Sequence, residues 1–162
     1  LRLLDEHDET VVDREAVLLA ILFHDAIYDP ARRDNEEASA ELARVRLTAV
    51  GIPEATIDRV AHLIVATQHG SAATAASNDT DLDLLLDLDL SILAARPEDY
   101  RAYAQAIRQE FALYPDEVYR PGRRRVLEYF LSCERIYRVQ KLRDIWEAPA
   151  RANIVRELAK LA

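Results

Sequence analysis

Apolar positions recur along this chain at three- and four-residue intervals, and that spacing predicts helices almost throughout. Residues 1–8 read as the tail of a first helix, with Leu1 and Leu4 on one face. Asp13 is placed to cap a second helix that runs to about Tyr28. Its buried stripe is Val17, Leu18, Ile21, His24, Asp25 and Tyr28. Asp34, with Glu37 three residues on, has the form of a capping box for a third helix. That helix reaches Val50, and Gly51 stops it. Pro53 suits the first turn of a fourth, which carries Ile57, Val60, Ala61 and Ile64 on one face and ends at Gly70. The small, polar run 71–80 reads as an exposed loop.

The next element is ambiguous by pattern. Asp81-Leu82-Asp83-Leu84 and Asp87-Leu88-Asp89-Leu90 alternate like a strand, but Leu82, Leu85, Leu86, Ile92 and Leu93 form a helical stripe. Its length and its helical surroundings favour a helix. Pro97 opens another, with Tyr100, Tyr103, Ile107, Phe111 and Tyr114 along one side, and Pro115 stops it. A long helix from about Gly122 to Arg138 carries Val126, Leu127, Phe130 and Leu131, and a last one begins near Pro149. The expectation is an all-α, single-domain helical bundle over residues 1–162, with no internal repeat and no linker.

Composition narrows this picture. The 162 residues, half of them hydrophobic, suffice for one domain with a sizeable core. No apolar run approaches a membrane span, and none has the character of a signal peptide. A net charge of −8 argues against binding a nucleic-acid duplex or an anionic membrane, which call for a basic surface. A lone cysteine, Cys133, excludes an intramolecular disulfide and fits a reducing, cytoplasmic setting. The chain has no Met and opens on a helical pattern, so further residues are expected upstream of Leu1.

Candidate chemistry begins at the end of the second helix. His24 and Asp25 lie three and four residues past Ile21, so both point toward the core. Burying an unpaired carboxylate beside an imidazole is costly. A divalent metal bound by both offsets that cost; the bland alternative is a plain, inert His–Asp hydrogen bond. Asp89 continues the Leu82, Leu85, Leu86 stripe and reads as a second buried acid. The alternative for it is a salt bridge to an arginine such as Arg108. Asp87 shares its face with Asp83, Leu84, Ser91 and Ala94 and is expected nearer the surface. His62 is off the main apolar stripe, and His7 sits among acids and reads as solvated. His69, beside Gly70, is explained either by the helix dipole or as a substrate or metal-shell residue. The run Arg123-Arg124-Arg125 reads as a solvated face, and Tyr100, Tyr103 and Tyr114 as a core stripe.

An ordered series of short stretches carries a resemblance. It comprises residues 23–29 around His24-Asp25, 34–40 around Asn35-Glu36, Ala66-Thr67-Gln68-His69, and 87–93 around Asp87-Leu88-Asp89. Residues 107–111 around Arg108, then Pro121-Gly122-Arg123 and Ala150-Arg151-Ala152-Asn153, complete it. Together they resemble the HD superfamily of metal-dependent phosphohydrolases, in a bacterial subgroup, over nearly the whole chain. The resemblance implies a helical HD-type fold. It implies a divalent metal ion (Mn, Fe, Co, Ni, Zn or Mg) held by His24, Asp25 and Asp89, with Asp87 a rival or outer partner. The superfamily's first histidine does not occur in these residues, so the ligand set is expected to be incomplete. Asp25 is implied to take the proton of an attacking water as well as to bind the metal. His69 and Arg108 are candidates for holding phosphate oxygens, and Asn35 and Glu36 for orienting ligands, with helix capping as the alternative for the last two. The implied reaction is hydrolysis of a phosphate ester of a small metabolite or nucleotide. A non-catalytic metal- or nucleotide-binding module and a purely structural helical domain are the alternatives. Oligomeric state is left open, a homo-oligomer included.

Overall fold

Among the residues described by the computed structural model, namely Leu4, 11–68 and 78–161, every regular element is helical. In order these are α1 (Arg14–Phe23), α2 (Asn35–Ala49), α3 (Glu54–Val65) and α4 (Thr80–Asp89). The last continues as a 3-10 helix over Leu90–Ala94, and α5 (Pro97–Glu110), α6 (Asp116–Ser132) and α7 (Gln140–Leu158) follow. The all-α expectation holds. The chain divides into two compact units, Leu1–Leu88 and Asp89–Ala162. No helix among the described residues is long and apolar enough to cross a membrane.

In the first unit α3 packs against both α1 and α2. The predicted face of α3, Ile57, Val60, Ala61 and Ile64, is buried, and Ala16, Val17 and Ala20 of α1 and Ala40, Ala43 and Leu47 of α2 are buried too. Small residues dominate the buried faces of α1 and α2, which suits close approach of helix axes. The Asp13 cap forms as expected: its carboxylate accepts from the Ala16 amide at 3.0 Å. Gly51 also behaves as expected. At φ +80° it turns the chain so that its own amide reaches Thr48 O and the Ile52 amide reaches Leu47 O. Those two bonds satisfy carbonyls that the end of α2 would otherwise leave bare.

Other boundaries differ from the pattern. The second predicted helix ends at Phe23, not Tyr28, because the backbone beyond it finds other partners. Ile27 exchanges both of its backbone hydrogen bonds with the Ser39 hydroxyl, and Asp29 exchanges both of its own with the Asn35 amide. Asp34 caps nothing with its side chain; Arg32 holds that carboxylate with two hydrogen bonds of 2.8–2.9 Å, so the capping box does not form. The helix expected to reach Gly70 stops at Val65, and Gly70 itself lies outside the described residues, as do residues 1–3, 5–10 and most of the 71–80 run.

In the second unit the core joins Leu93, Tyr100, Leu127, Ile136, Tyr137, Ala150 and Ile154. The Asn153 side chain, buried, donates to the carbonyls of Leu93 and Ala95 at 2.8 Å each and so ties the end of the 3-10 helix to α7. The prolines mislead here. Pro121 lies inside α6 and Pro149 inside α7, both exposed, so the two helices begin at Asp116 and Gln140 rather than near Gly122 and Pro149. A proline removes one amide bond and bends a helix, but packing of the flanking turns keeps the helix continuous. The helix expected to reach Arg138 ends at Ser132, and Cys133 leaves it extended.

Candidate functional site

The His24–Asp25 pair sits in the turn that ends α1. The His24 amide still bonds Ala20 O at 2.9 Å, as the last turn of a helix would, and the His24 Nδ1 faces Ile21 O at 3.0 Å. A carbonyl can only accept, so this contact keeps a proton on Nδ1 and fixes the ring. Nε2 then faces the Asp25 Oδ2 at 3.4 Å. The pair does not lie on a buried stripe, contrary to the pattern: the Asp25 side chain is 68% exposed and that of His24 is 21% exposed. The cause is the end of α1 at Phe23, after which helical periodicity no longer dictates direction. Tyr28, predicted on the same stripe, is also exposed.

The turn is held from α2. Asn35 and Ser39 stand one helical turn apart and so share a face. Each uses a donor and an acceptor on the backbone of one loop residue, as a neighbouring β-strand would. Asn35 therefore neither caps α2 nor acts as an isolated polar group; it fixes the loop that follows His24 and Asp25. Asp29 also turns back on the Ala31 amide at 2.9 Å, closing the loop tip. Glu36 is half-buried in the first turn of α2.

The two acids of the Asp87-Leu88-Asp89 segment exchange places relative to expectation. Asp87 is fully buried, and Asp89 is half-buried at the last residue of α4. A whole turn, Leu84 to Asp87, is buried, so α4 has no single stripe on which a three-four count could place Asp89. The helix also tightens to 3-10 winding directly after Asp89, which shifts the face of every later residue. His69 and His7 lie outside the described residues, and His62 is exposed, as its position off the stripe predicts. Among the described residues no group of three or more His, Cys, Asp or Glu side chains stands close enough to hold one metal ion.

Arg108 closes the C-terminal end of α5. It donates to Asp116 Oδ1 at 2.8 and 3.1 Å, to Phe111 O at 3.0 Å and to Tyr114 O at 3.2 Å, while its guanidinium lies 4.7 Å from the Tyr119 ring centre. Four of its five N–H groups thus serve the fold. These bonds hold the Asp116 carboxyl below its usual range. Arg108 does not pair with Asp89.

Pattern reasoning missed two charged clusters, each centred on a buried acid. In the first unit the Asp81 carboxylate accepts the amides of Val12 and Asp13 at 2.7 and 2.9 Å, and Arg59 bridges Asp79 and Asp81. In the second unit Glu157 accepts Tyr100 Oη at 2.6 Å and Arg123 Nε and Nη2 at 2.7 and 3.1 Å. Burial and the bond to Glu157 push the Tyr100 phenol far above its usual range. For Arg123 burial alone would lower the value, but the Glu157 bonds and charge outweigh it and the guanidinium stays firmly protonated. The Arg123 side chain, 9% exposed, therefore turns inward to Glu157 and is not part of a solvated arginine face; Arg125 is exposed and Arg124 half-buried. The missed signal was available: Ala150, Asn153, Ile154 and Glu157 fall on one stripe of α7.

The chain matches no protein-family model, no curated protein and no solved structure.

Proposed function

We propose that this protein is a metal-dependent phosphohydrolase acting on a small phosphorylated metabolite or nucleotide, with His24 and Asp25 at the heart of its metal site. The observation that supports this most is the pairing of His24 Nε2 with Asp25 Oδ2 at 3.4 Å, with Nδ1 turned to the Ile21 carbonyl. Imidazole nitrogen and carboxylate oxygen bond divalent cations at about 2.0–2.2 Å, so two such ligands on one ion stand about 3.0–3.4 Å apart. A backbone carbonyl on the far ring nitrogen is one of the usual ways a ligating histidine is oriented. These two donors fit a divalent cation; Asp89 and Asp87 enter the ligand set through the resemblance alone.

When bound, a divalent cation supplies an activated water and neutralises charge on the phosphoryl oxygens. The chain's own share is positional and basic. Ile21 orients His24, and Asn35 and Ser39 hold the loop that follows the pair. Asp25, open to solvent, takes the proton of the water whose oxygen forms the new P–O bond as the ester P–O bond breaks. The departing alkoxide takes a proton from solvent.

A panel of phosphate esters and nucleotides, assayed with Mn or Co, tests this. Turnover is expected, and Asp25→Ala should lower it by about 10²-fold or more with helical circular dichroism unchanged. Full turnover in that variant would remove the mechanism. Metal binding without turnover would instead favour the non-catalytic module, and no metal-induced rise in stability would favour a structural domain.

A further inference from the structure

Three helix faces of the second unit meet around a cleft of about 560 Å³. From α5 come Arg101 and Arg108, from α6 Arg120, and from the C-terminal end of α7 Arg156 and, just beyond it, Lys160. Two acids line the same space, Asp116 and Glu157. Five cations against two carboxylates is an excess of positive charge, in a chain whose net charge is −8.

Neither carboxylate is free to offset the remaining cations, because both are already engaged. Asp116 is held by Arg108 and Arg120. Glu157 is held by Arg123, which does not line the cleft. Arg156 reaches only the neutral side-chain oxygen of Asn153. Arg101 and Lys160 make no ion pair with any described residue. Three cationic groups thus share one concavity without an ion pair to any described residue, which focuses positive potential there. The rest of the lining includes Pro97, Ala104 and Leu161, an apolar patch beside the charges.

We propose that this cleft binds a small phosphorylated molecule, with Arg101, Arg156 and Lys160 on its phosphate oxygens and its apolar part on Pro97, Ala104 and Leu161. The volume is that of a small-molecule site, in the range of about 300–1,000 Å³, and too small for a folded partner. Arginine suits the role because its planar fork bonds phosphate through two parallel N–H groups. The site is built from residues of the second unit and uses neither His24 nor Asp25, so the proposal stands whether or not those two hold a metal.

Inorganic pyrophosphate is the probe, titrated calorimetrically into the full chain in the presence of EDTA at constant ionic strength. Saturable binding at one site per chain is expected. Arg101→Ala and Lys160→Ala, both exposed and unpaired, should each weaken it severalfold, and the double variant at least tenfold, with circular dichroism and melting temperature unchanged. Asp25→Ala should bind as the parent does. Absence of saturable binding would overturn the proposal. So would undiminished affinity in the double variant, or loss of binding in Asp25→Ala alone.

Discussion

The His24–Asp25 turn of the first unit and the Tyr100–Arg123–Glu157 cluster of the second both place an acid beside a nitrogen base, but they are stabilised in opposite ways. In the cluster, side chains satisfy one another out of water: Glu157 accepts three hydrogen bonds and Arg123 is 9% exposed. In the turn, the acid is in solvent and order comes from α2, whose Asn35 and Ser39 bind backbone atoms of the following loop. A saturated pair has little left to offer a ligand. A pair with an open carboxylate and a braced backbone retains bonding capacity, and its geometry is set by neighbours that do not use that capacity. The contrast separates a cluster closed on itself from a pair whose carboxylate faces solvent.

The sharpest way to break the comparison is Glu157→Ala. It leaves the Arg123 guanidinium buried without its counter-charge and should cost about 3–5 kcal/mol, measured by urea denaturation. Replacing both partners, Arg123→Met with Glu157→Leu, should cost much less, since no unpaired charge remains. Asp81→Ala is the counterpart in the first unit. Asp81 is buried and binds two amides ahead of α1, so its loss should cost about 2–3 kcal/mol and speed hydrogen exchange at Val12 and Asp13. Ser39→Ala should cost about 1–2 kcal/mol, with the Ile27 amide losing protection while α2 and α3 keep theirs. If exchange instead rises throughout the unit, the brace is part of its core and the contrast fails. The smallest effect concerns pH. The hydrogen bonds from Arg59 hold the Asp79 carboxyl below its ordinary value of 3.8. Its folded value is thus below its unfolded one, so the unfolded chain takes up the proton more readily. The contribution is complete above the unfolded value and is lost as pH falls below about 4 and through the folded value. Asp79→Asn should flatten that acid limb of the stability curve and leave its slope near neutrality unchanged.

Local chemistry was legible in the sequence wherever it was decided locally. The Asp13 cap, the Gly51 stop, the Pro97 start and the buried face of α3 all follow from residues within one or two turns. What the pattern misplaced was decided at longer range. Ser39 captures Ile27 from twelve residues away, and that tertiary competition ends α1 early. Glu157 and Arg123 are thirty-four residues apart, so no helical count links them, although Glu157 sits squarely on the α7 stripe. Asp87 and Asp89 are ranked in the wrong order by the pattern because stripe logic assumes one wet face, and the middle of α4 has none. Pro121 and Pro149 were read as boundaries because proline usually is one, whereas the packed turns on either side carry α6 and α7 through. Of the candidate site, the adjacency of His24 and Asp25 was plain; their exposure was not.

The way Asn35 and Ser39 grip the loop constrains variation there unevenly. Their hydrogen bonds go to main-chain atoms of Ile27 and Asp29, so this grip does not depend on which side chains stand at those two positions. Inserting or deleting one residue between 27 and 29 would instead throw the two anchor points out of step with a rigid 5.4 Å helical repeat. Length is what this grip requires of the segment.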